Sequence, residues 1–325
     1  MHKSILAVAA LMLGGLAAEV TYWGNKGTRL QFGAGIQEDY LPNQYLAQGS
    51  TLFDQVPNPF FGLISVGTLS TRTVARRQLL LTYPQYTSMR RIAPMAASSI
   101  YHAVTFRLER RFGNFSVQGN YTIGKTIDDS STQEGDYAGG PVDQANRRLE
   151  RSVATFDVPQ RLVGSGNWRL PIGRGQRIGA GMPRMADALL GHWTLAGIVT
   201  LQSGVPVYVG RPHNTGKSAR IDNPTIDRWF DTTVFAPVSQ FVIGDTGRLL
   251  PDVHKDGLTN FDLSAMKSFR LTEKYSLRIR AEFFNAFNTP SFGMPVSGVS
   301  NVAFGVVNSQ ANRPRSLQFA AKLNW

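Results

Sequence analysis

Along the last ten residues of the chain, side-chain character switches at every second position. Leu317, Phe319, Ala321, Leu323 and Trp325 share one side of an extended backbone, and Ser316, Gln318, Lys322 and Asn324 share the other. A period of two marks a β-strand with one apolar and one polar face, because successive Cβ atoms point to opposite sides. The pattern recurs. Phe115, Val117, Gly119, Tyr121 and Ile123 alternate with Ser116, Gln118, Asn120 and Thr122. Leu277, Ile279, Ala281 and Phe283 alternate with Arg278, Arg280 and Glu282. Further strands of the same kind are expected around Val20, Val104, Leu162, Leu195 and Leu263. The expected fold class is therefore all-β and antiparallel.

Alternation suits a membrane barrel, with lipid on one side and a wet lumen on the other. It also suits a soluble sandwich with one face packed and one solvated. Charges such as Arg278, Arg280 and Glu282 fall in mid-strand, which suits a water-filled lumen. Aromatic residues gather at strand ends (Tyr101, Phe112, Tyr121, Trp168, Trp193, Tyr275, Phe287 and Trp325), where interfacial girdles lie. A segment of about ten residues is long enough to cross a bilayer as a tilted strand. The expected architecture is a transmembrane β-barrel.

Composition narrows the classes further. No run of eighteen apolar residues occurs, so a helical membrane protein is excluded. There is no cysteine, which removes disulfides, thiolate metal sites and cysteine nucleophiles. The net charge of +12 would suit nucleic acid, but the basic residues are dispersed and no nucleic-acid motif is present. They are read as pore lining and as rims that meet anionic lipid; no nucleic-acid partner is expected.

Some strand links are short. Others are long and polar, and surface loops are expected at about 36–99, 126–150 and 204–232, with a short helix within 46–55. Short links on one side and long loops on the other are typical of membrane barrels. Residues 1–17 have two readings. The apolar run 5–18 after Lys3 matches a signal-peptide core with a small-residue cleavage site at Gly15-Leu16-Ala17, or the upstream residues reflect only where the chain begins. The barrel segment is expected over 18–325.

Residues that could carry chemistry are scattered. Asp128 and Asp129, with Glu134, Asp136 and Asp143, form an acidic stretch read as a solvated loop, with calcium as the alternative. His2, His102, His192, His213 and His254 show no metal-binding spacing. The glycine clusters at 24–28, 173–175 and 244–247 lack phosphate-loop spacing and are read as turns. No catalytic, cofactor or metal residues are nominated, and the chain is not expected to be an enzyme.

The terminal strand, with Leu317, Phe319, Ala321, Leu323 and Trp325, resembles the assembly signal of outer-membrane barrels. Other stretches add to that resemblance: 20–30 (VTYWGNKGTRL), 55–62 (QVPNPFFG), 121–131 (YTIGKTIDDSS), 156–177 (FDVPQRLVGSGNWRLPIGRGQR), 191–205 (GHWTLAGIVTLQSGV) and 277–292 (LRIRAEFFNAFNTPSF). In this order they resemble the C-terminal part of the barrel of Oar-like TonB-dependent receptors. The resemblance implies a 22-stranded outer-membrane barrel, of which this chain carries roughly nine to twelve strands and neither plug nor TonB box. It implies uptake of a siderophore, glycan or peptide through the intact protein, with the isolated segment inactive and no cofactor. The implied partners are outer-membrane lipid and lipopolysaccharide, the barrel assembly machinery, and the TonB complex only through a plug. Two alternatives stay open: a complete small outer-membrane barrel (a porin or adhesin), and a soluble glycan-binding β-sandwich.

Overall fold

The computed structural model describes residues 2–32, 35–130 and 141–325. Nine long strands form one antiparallel sheet in chain order. They are β1 (His2–Leu13), β2 (Leu16–Leu30), β3 (Ala97–Phe112), β4 (Phe115–Asp128) and β5 (Gln160–Arg169), then β6 (Trp193–Gln202), β7 (Leu258–Arg270), β8 (Ser276–Phe284) and β9 (Ser316–Asn324). A two-residue strand, Ser152–Val153, extends the sheet beside the end of β4. Each long strand pairs with the next, so the topology is a meander.

Register keeps the two faces coherent across the sheet. Phe112, Phe115, Trp168, Leu195, Ala265, Ala281 and Phe319 lie opposite one another in a single row over seven strands. The adjacent row, one residue along, reads Arg111, Ser116, Asn167, Ala196, Ser264, Glu282 and Gln318. A slip of one residue in any pair would mix the rows. β1 departs from this pattern. Its Leu6, Val8, Ala10 and Met12 fall on the polar side of the sheet, paired with Trp23, Thr21, Glu19 and Ala17.

Among the described residues no second sheet lies against the apolar face. Phe106, Leu108, Trp168 and Phe319 remain between 45% and 74% exposed. This overturns the sandwich alternative, since a sandwich hides such residues between its layers.

The two ends of the sheet differ. At one end β1 and β2 are joined by Gly14 and Gly15 alone, with φ of 53° and 79°. Positive φ at both central residues defines the turn that matches strand twist, and glycine adopts it without strain. β3 and β4 are joined by Gly113 and Asn114, and β7 and β8 by residues 271–275. The β5–β6 connection at this end is longer, 170–192, and holds the helix Arg184–Leu190, here α1.

At the other end the connections are 31–96, 129–159, 203–257 and 285–315. The first two expected loops, 36–99 and 126–150, shift at both ends because β2 ends at Leu30, β3 starts at Ala97, β4 runs on to Asp128 and β5 starts only at Gln160. The third loop reaches residue 257, and the fourth was not anticipated. The expected helix near 46–55 is a 3-10 segment, Asn43–Phe53, interrupted at Gly49 where φ is 57°.

The loops fold on one another. Val207, Val209, Phe230, Val234, Phe235 and Leu250 form a buried cluster, with Met294 and Phe304 of the fourth loop packed against it. The Phe230 and Phe304 rings meet edge-on at 5.3 Å. Phe32, Leu52, Leu69 and Val74 are buried in the first loop. So the sheet presents its apolar side outward, while the long loops build a water-type core beyond its end.

This geometry predicts a sharp difference between neighbouring residues. Arginine on the lipid face at mid-depth costs about 2–4 kcal/mol, and lumen-facing substitutions are tolerated. Leu263→Arg is expected to lower the amount of urea-resistant, membrane-integrated protein severalfold. Ser264→Arg, one residue along on the polar face, is expected to leave it near wild type.

Candidate functional site

The candidate site comprises the polar face of the sheet and the base of the loop layer. On the polar face a concavity of about 370 Å³ is bordered by Glu109, Gln118, Asn167, Asp262 and Glu282. Glu109 lies between Arg107 (3.1 Å) and Arg111 (2.9 Å), and Arg280 stands 3.4 Å from Glu282. These pairs are partly exposed, so each contributes little to stability. What they provide is a wet surface of both charge signs, able to hydrate or hydrogen-bond a polar solute.

Above this surface, buried charges tie the loops to the strand ends. Arg248, 1% exposed, forms an ion pair with Asp128 at the end of β4 and donates from Nε to the Glu150 carbonyl oxygen at 2.9 Å. Arg211 donates to Glu150 Oε2 at 2.5 Å, and Glu150 Oε1 accepts from the Val142 amide at 3.0 Å. Asp129 accepts from both the amide and the hydroxyl of Ser98, each at 2.8 Å. The expectation of a solvated acidic loop is therefore wrong for Asp128, Asp129 and Asp143. All three are bonded within the protein, Asp143 Oδ1 to the amides of Ala145 and Asn146. Glu134 and Asp136 lie outside the described residues. Among the described residues no three His, Asp or Glu side chains are grouped to hold a metal.

At the base of the loop layer lies a second cavity of about 600 Å³, lined by Ser203, Arg220, Asp222, Trp229, Asp252 and His254. Trp229 donates from its indole to the His254 carbonyl oxygen at 2.8 Å. Burial holds the His254 imidazole below its usual range, against the pull of Asp157 and Asp252. Burial raises the Asp157 carboxyl, whose Oδ1 accepts from the Thr126 amide at 2.6 Å. An aromatic wall, a guanidinium, carboxylates and a neutral imidazole suit a ligand with both apolar and polar groups.

The sequence-nominated residues are placed as follows. Among the described side chains the histidines stay apart: His102 meets the Tyr22 hydroxyl at 2.7 Å, His192 meets Asp187 at 3.4 Å and His213 meets Asp245 at 2.7 Å. The 24–28 cluster is not a turn. It lies inside β2 just before a register shift between Thr28 and Leu30, where Arg29 takes a φ of 57°. Tyr101 falls on the polar side with Thr105, away from the girdle, and Phe287 lies in the fourth loop with its ring 5.0 Å from Phe261. Leu317, Phe319, Ala321 and Leu323 lie exposed on the apolar side of β9, and Trp325 follows its end. Arg211 and Arg248 were missed. Arg248 meets a partner 120 positions away, and no local pattern signals that.

A family model described as "Outer membrane beta barrel domain" matches residues 5–318. A solved structure, the outer membrane transporter YddB from Escherichia coli, is similar in fold with a TM-score of 0.52 at 9% identity. That similarity covers 99% of this chain and 32% of the transporter, so the chain spans about a third of its length. A search of curated proteins returns no match.

Two outcomes follow from the buried charges. Removing one partner of a buried pair costs about 3–5 kcal/mol, so Arg248→Met is expected to open the loop layer, read as faster proteolysis and hydrogen exchange within 203–257. His254 has a depressed affinity for protons when folded, so the unfolded loops bind a proton more readily. Stability is expected to fall as pH drops from the ordinary histidine range towards the depressed value. Asp157 acts oppositely, and only in its raised carboxyl range. Exchange in 203–257, corrected for intrinsic rate, should therefore rise between about pH 7 and 5.5, around the ordinary histidine pKa, and His254→Gln should flatten that rise.

Proposed function

Since the chain belongs to the outer membrane beta barrel domain family, we propose that it is the barrel segment of an outer-membrane receptor that takes up an extracellular ligand with energy from the TonB complex. The observation that carries this reading is the folded loop layer. It has its own core and buried ion pairs, and it holds a cavity of about 600 Å³ over the end of a wide polar surface. A passive pore needs only an open mouth, whereas a receptor needs a shaped roof that selects before it admits. The match to about a third of a known transporter suits a segment of a larger barrel.

In this reading the ligand is held by the loops and released along the lumen when a plug moves. Plug, TonB contact and remaining strands are supplied by residues beyond these 325. The chain acts by binding and passage, with no catalysis and no cofactor. Its apolar face meets lipid and its loops meet lipopolysaccharide. The β9 row Leu317, Phe319, Ala321 and Leu323, ending in Trp325, engages the assembly machinery.

Two measurements test this. The purified periplasmic domain of TonB is expected to bind the intact receptor and not the 325-residue chain. In planar bilayers that chain alone is expected to give no uniform unitary conductance. Failure of the intact protein to bind TonB removes energy coupling. Uniform conductance steps from the chain alone establish a complete small barrel instead.

A further inference from the structure

The β5–β6 connection stands out among the links at the short-turn end. The other three are two to five residues long, and this one holds a helix. It is fastened to the apolar side of the sheet. Lys267 belongs to the apolar row, opposite Trp193 and Ile279, yet it is only 3% exposed. Its ammonium donates to the carbonyl oxygens of Asp187 (3.0 Å) and Gly191, at the C-terminal end of α1. It also lies over the rings of Trp193 (5.7 Å) and Phe269 (5.3 Å). The Trp193 indole donates to the Leu189 carbonyl oxygen at 2.9 Å. A cation at the negative end of a helix dipole is favourable, and the arrangement sets α1 on the outer side of the rim.

From that position α1 turns apolar side chains away from the protein. Met185, Leu189 and Leu190 are 62–80% exposed, and Ile178 is 55% exposed. Met185 and Leu189 are four residues apart and share one face. Around them Arg174, Arg177 and Arg184 are exposed. The one acidic residue of the segment, Asp187, is engaged by the Arg174 amide at 2.6 Å and by His192. An apolar face rimmed by cations, continuous with a lipid-facing sheet, is the pattern of a helix lying in a membrane interface. Short turns face the periplasm in this class of barrel, so the surface in reach is the inner leaflet, made of phospholipid.

We propose that residues 170–192 form an interfacial anchor that binds anionic glycerophospholipid at the periplasmic surface of the outer membrane. Met185, Leu189 and Leu190 enter the acyl boundary, and Arg174, Arg177 and Arg184 hold headgroup phosphates. Lys267 positions the helix and does not touch lipid. The site is independent of any ligand taken up through the lumen.

Because the chain has no cysteine, Leu189→Cys gives a single labelling site. The full chain, labelled there with an environment-sensitive fluorophore, is reconstituted into phosphatidylethanolamine vesicles containing phosphatidylglycerol. Blue-shifted emission, quenched by brominated lipid and not by iodide, is expected. In a second measurement the Arg174→Gln, Arg177→Gln, Arg184→Gln triple variant is expected to retain severalfold less co-purifying phosphatidylglycerol than wild type. These positions are exposed, so folding should survive, and the emission of Leu189→Cys in the same background checks it. A label quenched by iodide, a label reached by neither quencher, or unchanged phosphatidylglycerol retention in the triple variant would overturn the proposal.

Discussion

Backbone hydrogen bonding governs this molecule. Hydrocarbon offers no water to the peptide groups, so each N–H and C=O within it must find a partner in the protein. The meander meets that demand with little waste, since each inner strand is bonded on both sides by its neighbours in sequence. Register then decides the faces. The Phe112-to-Phe319 row and the Arg111-to-Gln318 row stay apart across seven strands because no pair slips. β1 and β9 are the edges of the described sheet. Unpaired groups in hydrocarbon cost several kcal/mol each, so in the membrane those edges must meet each other or further strands.

Beyond the sheet the solvent changes, and the folding rules change with it. The long loops lie in water and behave as a soluble domain, burying Phe230, Phe235 and Leu250 inward. The sheet below turns Phe106, Leu108 and Phe319 outward. The junction between these regimes is made of charge. Asp128 is the last residue of β4 and is met by Arg248 from a loop far along the chain. Such a pair is favourable only when its remaining bonds are filled, and the Glu150 carbonyl oxygen fills one of them. At the opposite rim Lys267 applies the same logic, with helix carbonyls and two aromatic faces in place of a carboxylate.

The strands were largely legible because their information is local. Alternation around Val104, Phe115, Leu195, Leu263, Leu277 and Leu317 identifies both the element and its lipid-facing side, and the structure places all of these on one face. The Gly24–Thr28 stretch misled because glycine marks bulges in strands as readily as turns. The fourth loop escaped notice because 285–315 contains apolar residues, Met294 and Phe304 among them, that resemble strand material until their partners are known.

What the sequence determined by itself is the two-sidedness of the strands: a period-two alternation between greasy and wet residues follows from bond geometry alone and needs no partner. The tertiary structure decided which distant charges meet, how the long loops pack on one another, and where the 170–192 helix settles. Asp128 and Arg248 are 120 positions apart, and Lys267 and Asp187 are 80 apart. Their pairing depends on the registers of the strand pairs that lie between them, a quantity that no window of neighbouring residues contains.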